Sequence, residues 1–148
     1  MIPVSQTIFD FNHGNCFQAC VASLFEVKLG KIPAFMKDGP EKFWKNLNIW
    51  CDSQNLIALG IEFLEDAWKN FNDTYFIANG ISPRDPVKKE KRHAVIWYNG
   101  DIAHDPHPSG DGLIDGAEFF TVFIVKNVVL YNKEKLALFH AQNLYGIK

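Results

Sequence analysis

Secondary-structure signals divide along this chain by position: helical spacing fills the first half, and β-branched and aromatic runs fill the second. Helices first and an antiparallel sheet after them is the pattern of an α+β domain. The constraint is sharpest between Phe17 and Val27, where Ala19, Cys20, Val21, Ala22, Leu24 and Phe25 make a segment that is apolar almost all round. A helix of that kind belongs at the centre of its domain, because it has no polar stripe to turn to water. Gly30 and Pro33 end it. Asn15 stands before it as a candidate cap, and Gln18 occupies the third helical position, where a capping box needs a Gln or Glu. A second helix is expected over roughly Pro40 to Asn55, with Phe43, Leu47 and Trp50 or Cys51 on one face. Shorter helical stretches are expected around Leu64 to Asn70 and from Lys133 to Tyr145.

The second half supplies strands. Tyr75 to Ala78, Ala94 to Tyr98 and Phe119 to Val125 are bounded by turn-forming residues, and Asn99-Gly100 marks a hairpin to Asp101–His104. The polar stretch from Ser82 to Arg92 reads as a surface loop rather than a linker, so one domain spans 1–148: a helical part to about residue 70, a sheet part over about 71–130 and a closing helix over about 133–145. At 148 residues the chain can bury about 70% of its unfolded surface, enough for a core without disulfide staples.

Charge narrows the partners. With 15 Lys plus Arg against 17 Asp plus Glu the net charge is -2, which gives no electrostatic reason for a nucleic-acid or anionic-membrane partner. No run of about 18 apolar residues is present to span a bilayer. Three cysteines, Cys16, Cys20 and Cys51, are an odd number at spacings unlike a disulfide framework, and the opening residues lack a basic and apolar signal segment. A cytoplasmic location is the expectation.

Cys16 carries the chemical signal. The cap at Asn15 makes it the first residue of the buried helix, where the macrodipole and unpaired N–H groups favour a thiolate, the nucleophile of covalent acyl transfer. Its base is expected to be a distant histidine oriented by a third polar group. His93 opens an apolar strand, and Asp105 follows the returning one. Whether the two meet depends on the turn. A two-residue turn at Asn99-Gly100 puts Asp105 opposite Ala94, on the other face from His93. A three-residue loop, Tyr98-Asn99-Gly100 with Gly100 left-handed, sets His93 directly against Asp105. The triad therefore calls for the three-residue loop.

Gly14-Asn15-Cys16-Phe17-Gln18-Ala19-Cys20-Val21-Ala22-Ser23-Leu24, then Ile32-Pro33-Ala34-Phe35, His93-Ala94-Val95-Ile96 and His104-Asp105-Pro106-His107-Pro108 resemble the papain-like cysteine peptidases. The closest parallel is the C39-like group, similar to bacteriocin-processing peptidases and including short phage and bacterial proteins. The resemblance covers roughly residues 3 to 108. It implies a papain-like (C39-like) fold, with a nucleophile helix packed on an antiparallel sheet, and a Cys16, His93, Asp105 triad whose oxyanion hole includes Gln6. The implied activity is cysteine-dependent hydrolysis of a peptide, isopeptide or other amide bond in a peptide or protein substrate, without a cofactor. The chain departs from the peptidase pattern in placing Phe17 directly after the cysteine.

Plainer readings stand beside these. Cys20 and Cys51 read as core residues, and Gln6 can serve only to satisfy backbone groups. A catalytically inactive module could bind a peptide or host protein in the same cleft. His13, Cys16, Cys20, His104 and His107 could be assembled into a structural zinc site, but Cys16 and Cys20 lie one helical turn apart rather than on a knuckle, and no metal is expected. His107 is a candidate to face substrate or support the triad, and Trp97 to shelter the His–Asp pair. The basic run Lys88-Lys89-Glu90-Lys91-Arg92 is a solvated loop in the plain reading and a flap admitting carboxylate-bearing substrates in the functional one.

Overall fold

The computed structural model of the chain describes residues 1–62, 69 and 72–127. Within these the fold is α+β: two α-helices packed on a five-stranded antiparallel sheet. The helices are α1 (Cys16–Leu24) and α2 (Phe43–Ser53), the latter entered through a 3-10 turn at Pro40–Lys42. The strands are β1 (Leu56–Glu62), β2 (Phe76–Ile81), β3 (Arg92–Tyr98), β4 (Asp101–His104) and β5 (Ile114–Val125), in the order β1-β5-β2-β3-β4. The stretches expected to be helical at Leu64 to Asn70 and Lys133 to Tyr145 lie outside the described residues, apart from Lys69.

Helix α1 is as central as its composition requires. Every residue from Phe17 to Ser23 is buried, and the helix packs on β3 and β2. It is shorter than the expected run, because the chain turns at Phe25 and Glu26 takes a positive φ of 55°. Asn15 occupies the cap position but makes no side-chain cap, so the capping box expected with Gln18 is not formed. The Asn15 Oδ1 accepts instead from the N–H groups of Thr7 and Ile8, at 2.9 and 2.8 Å. Gln18 Nε2 donates away from the helix, to the carbonyls of Leu29 and Ile32. Both polar side chains thus fasten neighbouring chain segments to α1.

The first half is not wholly helical. β1 forms an edge strand there, paired along its length with β5 from Leu56 opposite Val125 to Glu62 opposite Phe119. Its sequence, Leu-Ile-Ala-Leu-Gly-Ile-Glu, hides the alternation because apolar residues fall on both faces: Leu56 and Ala58 are buried while Ile57 and Leu59 stay exposed. The sheet's helix-facing side joins Ile77, Ala94 and Ile96 to Val21, Phe35, Leu47 and Cys51 in the main core. Phe76, Ala78, Val95 and Phe120 form a second cluster on the opposite side, as strand alternation requires.

One glycine is forced. At Gly80, opposite His93 in β2, an added Cβ would stand 2.6 Å from the Gly116 carbonyl oxygen, because β5 bulges toward it between Ile114 and Phe119. Only a residue without a side chain fits that approach.

Candidate active site

The His93–Asp105 contact is made, by a route other than the expected loop. The turn between β3 and β4 is the two-residue one: Tyr98 faces Asp101 across Asn99 and Gly100, whose φ values of 49° and 91° suit a tight hairpin. Trp97 faces Ile102, but Ile96 faces His104, so Ala103 is the extra residue of a β-bulge. One inserted residue inverts the alternation of everything after it. Asp105, just past the end of β4, is thereby turned to the His93 side, and His93 Nε2 stands 2.7 Å from Asp105 Oδ1. Both side chains are buried, at 3% and 5% exposure.

Asp105 is held from three directions. Besides His93, its Oδ1 accepts from the His107 N–H at 2.8 Å and its Oδ2 from the Gly112 N–H at 2.9 Å. Burial pushes its carboxyl up, but the His93 hydrogen bond and the two backbone donors outweigh that and hold it below the usual carboxylate range. For His93 burial acts downward, while hydrogen bonds to Asp105 and Cys16 and the charges of both act upward, and the imidazole ends above its ordinary value. Since Asp105 occupies Nε2, the ring nitrogen left for Cys16 is Nδ1.

Cys16 is where the sequence put it, first in α1 and half-buried, with Cys16 and His93 lining one cavity of about 350 Å³. Because the Asn15 side-chain oxygen is taken by Thr7 and Ile8, it leaves the first N–H groups of the helix for another acceptor. The other two thiols are inert core. Burial, and then the neighbouring Cys16 and Asp105, pushes Cys20 well above its ordinary value, and burial pushes Cys51 up to about 11.

Gln6 lines the same cavity and is fixed on both sides. Its N–H donates to the Pro106 carbonyl at 3.0 Å, next to Asp105, and the two residues after it are the ones Asn15 holds. One proton of its Nε2 goes to the Ile8 carbonyl, while Oε1 is buried without a partner among the described residues. A second Nε2 proton remains for a ligand oxygen.

His107 also faces the cavity, its ring 6.3 Å from that of His93 and its Nδ1 2.8 Å from Ser109 Oγ. Burial and the nearby Arg84 charge hold its imidazole below the ordinary value. Trp97 packs against the second core cluster and is not among the described residues lining the cavity. The five residues considered for zinc do not converge: among the described residues no group of three or more His, Cys, Asp or Glu side chains could hold a metal ion. No helix among them is long and apolar enough to cross a membrane.

Several cavity residues escaped the sequence reading. Asn79, Ala94 and Phe119 form one row across β3, β2 and β5, and Asn79 Nδ2 is held by Thr121 Oγ1 at 3.3 Å. A lone Asn inside the apolar strand Phe-Ile-Ala-Asn-Gly-Ile was the available signal for the first. Arg84 carried no signal, being one of several cations in a polar loop. The loop itself is anchored: Asp85 Oδ2 accepts from the N–H groups of Glu90 and Lys91, Lys89 pairs with Asp115, and Arg92 pairs with Glu118. Comparisons with family models, curated proteins and solved structures returned no match to the chain.

Proposed function

We propose that this chain is a cysteine-dependent hydrolase with a papain-like arrangement, cleaving a peptide, isopeptide or other amide bond in a peptide or protein substrate in the cytoplasm. The observation that carries the reading is the buried His93–Asp105 pair at 2.7 Å, set in a cavity that Cys16 lines from the first position of α1. Cys16 Sγ attacks the carbonyl carbon, the C–N bond breaks, and His93 gives its proton to the departing nitrogen. Water then adds to the thioester, the C–S bond breaks, and the acid leaves as the thiol and imidazole return to their starting state. Asp105 keeps the imidazole oriented throughout. The negative oxygen of each tetrahedral intermediate is met by the Cys16 backbone N–H and the Gln6 side chain.

A silent binding module is the second reading, favoured by one observation: a Gln6 Nε2 proton is already committed to the Ile8 carbonyl. Alkylation separates the two. With iodoacetamide at mildly acidic pH, peptide mapping of the active enzyme finds Cys16 labelled much faster than Cys20 or Cys51, and the Cys16→Ala variant loses amide cleavage. Uniformly slow labelling of the folded protein selects the binding module.

A further inference from the structure

The cavity is chemically two-sided. On the Cys16 side its wall is aromatic, with Phe17 from α1 and Phe43 and Trp44 from α2; Phe119 of β5 also lines the cavity, and Phe9 and Phe11 add two rings beside His107 and Lys91. Phe17 and Phe43 meet edge to face at 4.9 Å and Phe43 and Trp44 at 5.5 Å, so this wall is a packed surface rather than a set of loose rings. On the His93 side the wall comes from the loop between β2 and β3 and carries Arg84 and Lys91. Neither side chain is in an ion pair among the described residues, although the Asp85 carboxylate accepts the Lys91 N–H and feels its charge: Arg84 reaches Ser109 Oγ at 3.4 Å, and Lys91 lies 5.9 Å over the Phe11 ring. Nearby, Lys89 of the loop pairs with Asp115 and Arg92, the first residue of β3, with Glu118, while Lys88 does not line the cavity. Of the acidic groups bordering the cavity, Asp10 is engaged by the Asn12 and His13 N–H groups, and Glu90 forms no ion pair with Arg84 or Lys91.

The chemistry fixes which half of a substrate meets which wall. The acyl carbon must bond to Cys16, and the leaving nitrogen must receive its proton from His93. From this we infer that the substrate is an amide whose acyl half carries an aromatic or large apolar side chain and whose leaving amine carries a carboxylate, received by Arg84 and Lys91. The inference rests on the proposed hydrolase reading for its polarity, because only that reaction distinguishes the two ends. A cavity of about 350 Å³ lies at the small end of ligand sites, so recognition falls on the groups flanking the scissile bond. Arg offers a carboxylate two parallel donors, and Lys91 adds a point charge.

Calorimetry on the Cys16→Ala protein tests this without turnover. The probes are acetyl-Phe-Ala with a free α-carboxylate, acetyl-Phe-Glu-amide with a side-chain carboxylate, acetyl-Phe-Ala-amide with none, and acetyl-Gly-Ala with a free α-carboxylate. The expected result is binding of one or both Phe-containing acids roughly tenfold tighter than the Phe-containing amide, with acetyl-Gly-Ala weaker by a similar factor. Which acid prevails identifies the source of the carboxylate. In the Arg84→Gln/Lys91→Gln double variant the preference for the acids disappears while binding of acetyl-Phe-Ala-amide is kept. The inference is overturned if the amide binds as well as both acids, if none of the four binds, or if the preference survives in the double variant. Failure of the wild-type protein to cleave a probe that the Cys16→Ala protein binds selectively counts against the hydrolase reading alone.

Discussion

Replacing Asp105 by asparagine removes one charge and one acceptor from the most constrained point of the site. The wild-type carboxylate accepts three hydrogen bonds, two at Oδ1 and one at Oδ2. An amide can keep the two at Oδ1, but its nitrogen then faces the Gly112 N–H donor to donor. A buried N–H left without an acceptor costs about 1–3 kcal/mol, and the bonds that remain lose their charge assistance, so a loss of about 2–4 kcal/mol is expected. The pH dependence sharpens the test. Folding raises the His93 pKa, so its contribution to stability is full below the unfolded value of about 6.5 and fades as pH rises through the folded value. Folding lowers the Asp105 pKa, so its contribution is present above the unfolded value of about 3.9 and is lost as pH falls through the folded one. Both operate together between about pH 4 and 6.5. Urea unfolding of Asp105→Asn under reducing conditions is therefore expected to show its largest penalty near pH 5.5 and a smaller one near pH 9. A penalty equal at both values, or none at either, refutes the charge-paired account of the site.

Further outcomes follow from the same geometry. Deleting Ala103 removes the bulge and returns Asp105 to the face away from His93, so this deletion is expected to match Asp105→Asn in stability loss and to slow Cys16 alkylation at pH 6; unchanged alkylation sinks the bulge argument. Gln6→Ala is expected to lower kcat by about 10²-fold with KM little altered if the amide serves the oxyanion. A loss of about 1 kcal/mol in stability with kcat unchanged assigns it to the Ile8 carbonyl alone.

Much of the fold was readable because its signals are local. The all-round apolar character of Phe17 to Ser23 demanded a central helix, and the structure buries every one of those residues. The strand runs near residues 76, 94 and 119 and the tight Asn99-Gly100 turn likewise rest on intrinsic preferences. What the sequence did not disclose depends on partners distant along the chain. β1 is a strand because β5 pairs with it, not because its seven residues alternate. Asn15 gives its side-chain oxygen to Thr7 and Ile8 rather than to the N–H groups of its own helix because the N-terminal segment, also tied to Pro106, passes there.

The sequence by itself determined the identities and order of the chemistry-bearing groups: a cysteine opening a buried helix, a histidine opening a strand and an aspartate after the next one. Only the tertiary structure decided that His93 and Asp105 meet. Strand alternation makes a side chain's face depend on the parity of residues between it and the turn, and one extra residue at Ala103 reverses that parity. No residue type in Asp101-Ile102-Ala103-His104 announces the bulge. It follows from how β4 joins β3 while its far end is drawn to Val4, whose carbonyl lies 3.0 Å from His104 Nε2. That balance of register and tertiary contact exists only in the folded chain.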